Sequence, residues 1–178
     1  MKNYWNGDLF YKVVEFAMKK HNGQTIMLTK MPYIGHVFEV FGECINCCNQ
    51  EKLDVDYNYL MMVALLHDTL EDTNCTYDEI SNTFGQSVAN GVLALTKNSK
   101  LPYTERLVDS LDRILLEQKE VSLVKLADRI VNLQEKPTEW NLEKLKSYKK
   151  DSELILQKLG GVSKILSQRL KEKIDNYL

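Results

Sequence analysis

Glycine, proline and histidine are scarce in this chain. Its 178 residues include eight glycines, three prolines and three histidines. So few turn-forming residues argue against a β fold made of many short strands, and no segment alternates apolar and polar residues for long enough to predict a sheet. The composition therefore favours a helical protein.

Long apolar runs are also absent. The N-terminus, MKNYWNGDLF, lacks the apolar stretch of a signal peptide, and the longest apolar run, 60–66, is too short to cross a bilayer. A formal net charge of −2 provides no basic surface for nucleic acid. We therefore expect a cytoplasmic protein that binds neither membranes nor nucleic acids.

The four cysteines do not make up a complete metal site. Cys44 and Cys47 form a single CxxC pair, Cys48 follows directly, and Cys75 lies far along the chain. A structural zinc site needs four ligands, so this pair would require a second pair nearby. We expect reduced thiols that are buried on a helix.

Apolar residues recur at helical spacing along most of the chain. Asp56 is placed to cap the helix that carries LMMVALL, and Thr76 and Glu79 have the spacing of a capping box. With 44% hydrophobic residues, the chain can bury a core without disulfides. These patterns predict one domain over 1–178, an all-α bundle of about eight helices.

An acidic cluster with a histidine follows the most apolar helix. His67 and Asp68 come directly after it, and Glu71 and Asp72 lie one turn later. Residues three and four apart share a helix face, so the four groups should lie together at one end of the helix. Three carboxylates repel one another, and a divalent cation relieves that repulsion. The pattern indicates a metal site or an acid–base site and does not identify its other members.

Two further residues stand out less clearly. Asp128 lies in the apolar segment SLVKLADRI, where an ion pair with Lys125 or Arg129 would explain it as well as a functional role. His36 lies in MPYIGHVFEVF, and a single histidine on an apolar helix is usually a core or surface residue. The same holds for His21. Composition and spacing leave these alternatives open.

Four ordered motifs resemble the RelA/SpoT-type branch of the HD-domain metal-dependent phosphohydrolases. HDTLEDT at 67–73 resembles the HDxxED signature, and PYIGH at 32–36 resembles the segment with the first metal histidine. AMKKHNGQ at 17–24 and VKLADRIVNL at 124–133 resemble the motifs near the two ends. The segment TYDEISNTFGQSVANGVLALTKN also resembles the family. The resemblance implies an HD-domain bundle that removes the 3′-pyrophosphate from guanosine-3′,5′-bis(diphosphate), or ppGpp.

The resemblance implies a role for each matching residue. The metal ligands would be His36, His67, Asp68 and Asp128, and such a set with open positions suits Mn²⁺ better than a closed zinc site. Glu71 and Asp72 would orient and activate the attacking water. The nucleotide would contact Tyr33, Lys125 and Asn132, although Lys125 could equally be a solvated side chain and Asn132 a polar residue at a helix end.

The chain departs from the family in two segments. The family has a basic residue that stacks on guanine shortly after HxGQ, where this longer segment has Ile26 or Met27. An aliphatic side chain cannot supply the cation–π contact, and Lys30 is expected to compensate in part. After VKLADRI, this chain has Val131, Gln134 and Glu135 where the family has His, Arg and Thr.

These departures keep three functions open. The first is a small stand-alone ppGpp 3′-pyrophosphohydrolase, and the second is an HD phosphohydrolase for another nucleotide or phosphoester. The third is a nucleotide-binding domain without catalysis, against which stands the complete set of ligands and acids. The native metal and the formation of a homo-oligomer are not determined by the sequence.

Overall fold

A computed structural model describes residues 6–26 and 28–178. These residues form ten α-helices and one 3₁₀ turn, Gly160–Val162, and their β structure is limited to one bridge between Thr25 and Pro32. The helices are α1 (Gly7–Lys20), α2 (Ile34–Glu51), α3 (Tyr57–Leu66), α4 (Thr69–Asp72), α5 (Tyr77–Phe84), α6 (Gln86–Leu95), α7 (Arg106–Ile114), α8 (Lys119–Asn132), α9 (Leu142–Leu159) and α10 (Lys164–Asp175).

The all-α prediction is confirmed, but the number of helices is higher than the expected eight. The prediction did not separate α4, which has only four residues, from the end of α3. None of the described helices combines the length and the apolar character needed to span a bilayer.

Local capping explains where several helices begin. The Asp56 carboxylate accepts hydrogen bonds from the backbone N–H groups of Asn58 and Tyr59, at 2.9 and 3.1 Å. Thr76 and Glu79 form the predicted capping box at the start of α5. Gly85 then ends α5 with a φ of 97°, a conformation that L side chains rarely adopt.

Helix α8 occupies the centre of the bundle. Every residue from Glu120 to Val131 is buried, and α8 packs against α2, α3, α6, α9 and α10. A helix buried on all sides has no solvated face, so polar side chains on it need partners inside the protein. Asp128 is one of these buried polar residues.

The expectation of buried thiols on a helix is confirmed for three of the four cysteines. Cys44, Cys47 and Cys48 are buried on α2, Cys75 is buried in the loop before α5, and all four are free thiols. Among the described residues, the cluster that could hold a metal ion contains no cysteine.

Candidate metal centre

Three buried side chains from distant parts of the chain meet at one point. His36 lies in the first turn of α2, His67 follows the last residue of α3, and Asp128 lies on the central helix α8. One ligand atom from each lies within 4.8 Å of the other two. The structure thus places His36 beside His67 and Asp128, although the sequence around His36 alone did not indicate a functional role.

The break between α3 and α4 orients His67. Its Nδ1 lies 2.8 Å from the carbonyl oxygen of Ala64, and the hydroxyl of Thr69 donates to the carbonyl of Leu66 at 2.7 Å. These side chains bind carbonyls at the end of α3, where no further helical N–H is available. The helix therefore stops at Leu66 instead of running through the acidic cluster.

The two histidines turn unpaired nitrogens towards the centre. Because Nδ1 of His67 donates to a carbonyl, the neutral form of this imidazole presents the lone pair of Nε2, as in many metal-ligating histidines. Nε2 of His67 and Nε2 of His36 are buried, and neither makes a hydrogen bond with the described residues. A buried nitrogen without a partner is costly, and a cation between the two would satisfy both.

Asp68 lies next to the three clustered residues. Its Oδ2 is 2.9 Å from Nε2 of His67 and 3.6 Å from Nε2 of His36, without the alignment of a hydrogen bond. Oδ1 of Asp128 lies 3.5 Å from Nε2 of His36 and 3.9 Å from Nε2 of His67. One oxygen of each carboxylate therefore faces both imidazoles.

The charges around this centre favour a cation. Burial lowers the pKa of His36, but Asp128 and Asp68 outweigh this effect and raise it to about 10. Burial raises the pKa of Asp128, yet Lys125 and the two imidazoles bring it well below its usual range. In the absence of a metal, the carboxylates attract protons to the imidazoles, and a divalent ion would take the place of those protons. His36, His67 and Asp128 together fit a divalent metal site.

The two acids of α4 have different surroundings. The Glu71 carboxylate accepts hydrogen bonds from the backbone N–H of Lys97, at 2.9 Å, and from its Nζ, at 2.7 Å. No hydrogen bond or ion pair is found for the Asp72 carboxylate within the described part of the chain. Burial and the neighbouring Asp68 and Glu71 raise the pKa of Asp72.

An open cleft of about 480 Å³ leads to these groups. His67, Asp68 and Asp128 line it together with the acids of α4, whereas His36 is not among its lining residues, and one wall comes from α9 and the segment before it. The residues of that wall, which the sequence did not single out, are Trp140, Lys144, Ser147, Tyr148 and Asp151. Their aromatic and polar character could not be assigned to a site before the position of α9 was known.

Three of the four predicted nucleotide contacts line this cleft, and each also binds a carboxylate of the centre. The hydroxyl of Tyr33 donates to Asp68, while Lys125 and Asn132 both donate to Asp128. Lys125 is therefore the ion-pair partner of Asp128, at 3.0 Å, and Arg129 is not. Lys30 is exposed in the turn that the Thr25–Pro32 bridge closes, and it is not among the residues that line the cleft.

The two segments that depart from the family lie in different places. Val131 and Gln134 line a separate groove with residues of α2, and Gln134 accepts a hydrogen bond from Lys173. Glu135 is exposed and is not among the cleft residues. The differences at and beyond the end of α8 thus lie outside the cleft. The turn between α1 and α2 is the altered segment that adjoins Tyr33 in the sequence.

Comparisons with known proteins agree with this geometry. The HD domain family matches residues 13–161. A guanosine-3′,5′-bis(diphosphate) 3′-pyrophosphohydrolase MESH1 from Xenopus tropicalis is 32% identical and covers 91% of this chain and 90% of its own. The MESH1 protein from Danio rerio is 30% identical, over 90% of this chain and 89% of its own.

A solved structure shares the whole fold. It comes from a metazoan ortholog of SpoT that is described as hydrolysing ppGpp. The two chains superpose with a TM-score of 0.82 at 26% identity, over 98% of this chain and 99% of the other. The chain therefore belongs to the HD-domain family, in the group that contains these 3′-pyrophosphohydrolases.

Proposed function

We propose that this protein is a metal-dependent guanosine-3′,5′-bis(diphosphate) 3′-pyrophosphohydrolase. The observation that carries the proposal is the pair of buried Nε2 atoms of His36 and His67, which make no hydrogen bond with the described residues and face Asp128 beside an open cleft. The names of the relatives, which match over about nine tenths of the chain, supply the substrate. Water and ppGpp would yield GDP and pyrophosphate, with the 3′-oxygen–phosphorus bond broken.

The ligands in this proposal are His36, His67, Asp68 and Asp128. Nitrogen and carboxylate donors with open positions suit Mn²⁺, which we propose as the native ion. A divalent cation there would supply charge for the phosphoryl oxygens and a more acidic water. No cysteine takes part in this set, which argues against a structural zinc site.

The protein's own acids would complete the reaction. The Asp72 carboxylate makes no hydrogen bond or ion pair with the described residues, so it is available to accept the proton of the attacking water. Glu71 is engaged by Lys97 and would orient the water or hold Lys97 near the phosphates. The cleft between α8 and α9 has room for a nucleotide, at about 480 Å³.

The test is product release from purified protein with Mn²⁺. We expect pyrophosphate from ppGpp, and we expect Asp128→Ala to abolish it because one carboxylate ligand is lost. Asp54→Ala is the matched control, since Asp54 is exposed in the loop before α3. Turnover of other nucleotides with none of ppGpp would overturn the substrate assignment.

A second candidate is an HD phosphohydrolase for another nucleotide or phosphoester. The observation in its favour is the turn between α1 and α2, where the partly buried Ile26 stands near the family's guanine-stacking position and Lys30 lies outside the cleft. A panel of ppGpp, deoxynucleoside triphosphates and nucleoside monophosphates separates the two candidates. A clear preference for ppGpp excludes this one.

A further inference from the structure

Tyr33 joins the start of α2 to the metal centre. It precedes the first residue of α2, and its hydroxyl donates a 2.6 Å hydrogen bond to Oδ2 of Asp68. This is the same oxygen that faces the two imidazoles, at 2.9 and 3.6 Å. A carboxylate oxygen has two lone pairs, so it can accept this hydrogen bond and bind a cation at once.

The ring of Tyr33 is held between two histidines. Its centroid lies 5.2 Å from that of His21 and 5.3 Å from that of His36. His21 is itself buried and hydrogen-bonded to Gln24, whose side-chain amide donates to the backbone oxygen of Asp72. Contacts with two histidine rings therefore hold the tyrosine ring, and its hydroxyl reaches Asp68 without a nucleotide.

Asp68 depends on this hydroxyl for its orientation. It lies between α3 and α4, and its side chain makes no capping hydrogen bond with α4. Apart from the imidazoles of His36 and His67, which a bound cation would engage, Tyr33 is the only described residue whose side chain donates a hydrogen bond to Asp68. Asp128, by contrast, has two donors, Lys125 and Asn132. Without the Tyr33 hydroxyl, Asp68 would lose this donor, whereas Asp128 would keep both of its own.

We propose that Tyr33 is a positioning residue of the metal centre, which holds Oδ2 of Asp68 towards His36 and His67. The inference rests on the proposed function in that Asp68 is taken as a ligand. It differs from the role that the family resemblance implies, which is contact with the nucleotide. Residues that orient a metal ligand change metal affinity by about 10- to 100-fold when they are replaced.

The experiment is a Mn²⁺ titration without nucleotide, by calorimetry, on wild type and Tyr33→Phe. The variant keeps the ring between the two histidines and removes only the hydroxyl. We expect its Mn²⁺ dissociation constant to rise by about 10-fold or more. Tyr77→Phe is the matched control, because Tyr77 also donates a 2.6 Å hydrogen bond, to Asn90 on α6, away from the centre. The control should bind Mn²⁺ like wild type.

Steady-state kinetics separate the two roles of Tyr33. For a positioning residue, the Mn²⁺ concentration that gives half-maximal activity rises, while KM for ppGpp at saturating Mn²⁺ stays within about twofold of wild type. An unchanged Mn²⁺ affinity with a raised KM would overturn the proposal and leave Tyr33 as a nucleotide contact.

A double-mutant cycle with Asp68→Asn excludes general structural damage. If the hydroxyl acts through the Asp68 carboxylate, Tyr33→Phe should cause little further loss of Mn²⁺ affinity in that background. Equal losses in both backgrounds would mean that the variant disturbs the fold, and the proposal would fail. If wild type binds no divalent ion, the metal centre itself is wrong, whereas loss of ppGpp turnover with intact Mn²⁺ binding affects only the proposed function.

Discussion

At the scale of single residues, the adjacent acids Glu71 and Asp72 are held differently. Both hydrogen bonds to Glu71 come from Lys97, one from the backbone and one from the side chain. Asp72 is part of the same short helix, but its backbone oxygen, and not its carboxylate, accepts the hydrogen bond of Gln24. The free carboxylate is the better candidate for proton transfer, because a general base must be able to approach the water.

We therefore expect Asp72→Asn to lower kcat for ppGpp by about 100-fold or more, since the amide cannot accept the proton. Its Mn²⁺ affinity should change little, because Asp72 is not among the proposed ligands. Asp78→Asn is the control, as Asp78 is an exposed residue of α5. Single-turnover rates at saturating Mn²⁺ give the measurement, and wild-type rates in Asp72→Asn would assign the base to another group.

At the scale of helices, Glu51 joins the end of α2 to the start of α10. An acid is unfavourable at the C-terminus of its own helix, where the backbone carbonyls carry partial negative charge. The Glu51 carboxylate instead accepts hydrogen bonds from the backbone N–H groups of Ile165, at 2.7 Å, and Lys164, at 3.1 Å, and from the hydroxyl of Ser163. It thereby caps α10 from a distance of more than a hundred residues in sequence.

This contact should make stability depend on pH. Burial raises the pKa of Glu51, but the hydrogen bonds from Ser163, Ile165 and Lys164 outweigh it, and the net pKa lies below the usual 4.5. A lowered pKa in the folded state means that the stabilisation is complete above pH 4.5 and is lost as the pH falls through the folded value. Glu51→Gln should therefore be less stable than wild type at pH 7, and this difference should shrink towards pH 3.

The expected loss at pH 7 is about 1 kcal/mol, the size of a helix-capping interaction at a partly solvated position. For a protein of this size it lowers Tm by about 2–4 °C. Thermal melts followed by circular dichroism from pH 3 to 7 measure the difference. Glu153→Gln, an exposed position on α9, provides the control. A Tm difference that is constant with pH would show that the charge of Glu51 is not involved.

At the scale of the whole molecule, the metal centre joins three separate helices. His36, His67 and Asp128 come from the start of α2, the end of α3 and the middle of α8. Without a cation, two aspartates face each other's charge across this point, and two buried imidazole nitrogens make no hydrogen bond with the described residues. Binding of a metal to the folded state alone should therefore stabilise the whole bundle.

We expect Mn²⁺ at about 100 times its dissociation constant to add about 2.7 kcal/mol of stability. This amount corresponds to a rise in Tm of about 5–11 °C for a chain of this length. Chelation with EDTA should reverse the rise, as measured by differential scanning calorimetry. His36→Gln should lose most of the effect because a ligand is removed, and an undiminished rise in that variant would place the stabilising ion elsewhere.

The helical class could be predicted because its signals are local. Caps such as Asp56 and the Thr76–Glu79 box act within one turn, and they are found where the sequence predicts them. The short α4 was not separated, because the break after Leu66 depends on which side chains take the last carbonyls of α3. That choice depends on the orientation of His67, which the pattern of apolar residues does not encode.

The sequence by itself determined that His67, Asp68, Glu71 and Asp72 lie together, since residues within one or two helical turns stay close in any helical fold. It also marked Asp128, a carboxylate in an apolar segment that must find a partner. Only the tertiary structure decided that His36 joins them, that Lys125 and not Arg129 pairs with Asp128, and that Tyr33 supports Asp68. The contacts of His36 and Tyr33 join distant parts of the chain, and the ion pair of Asp128 selects one of two basic residues on the same helix. All of them depend on how the helices pack around α8.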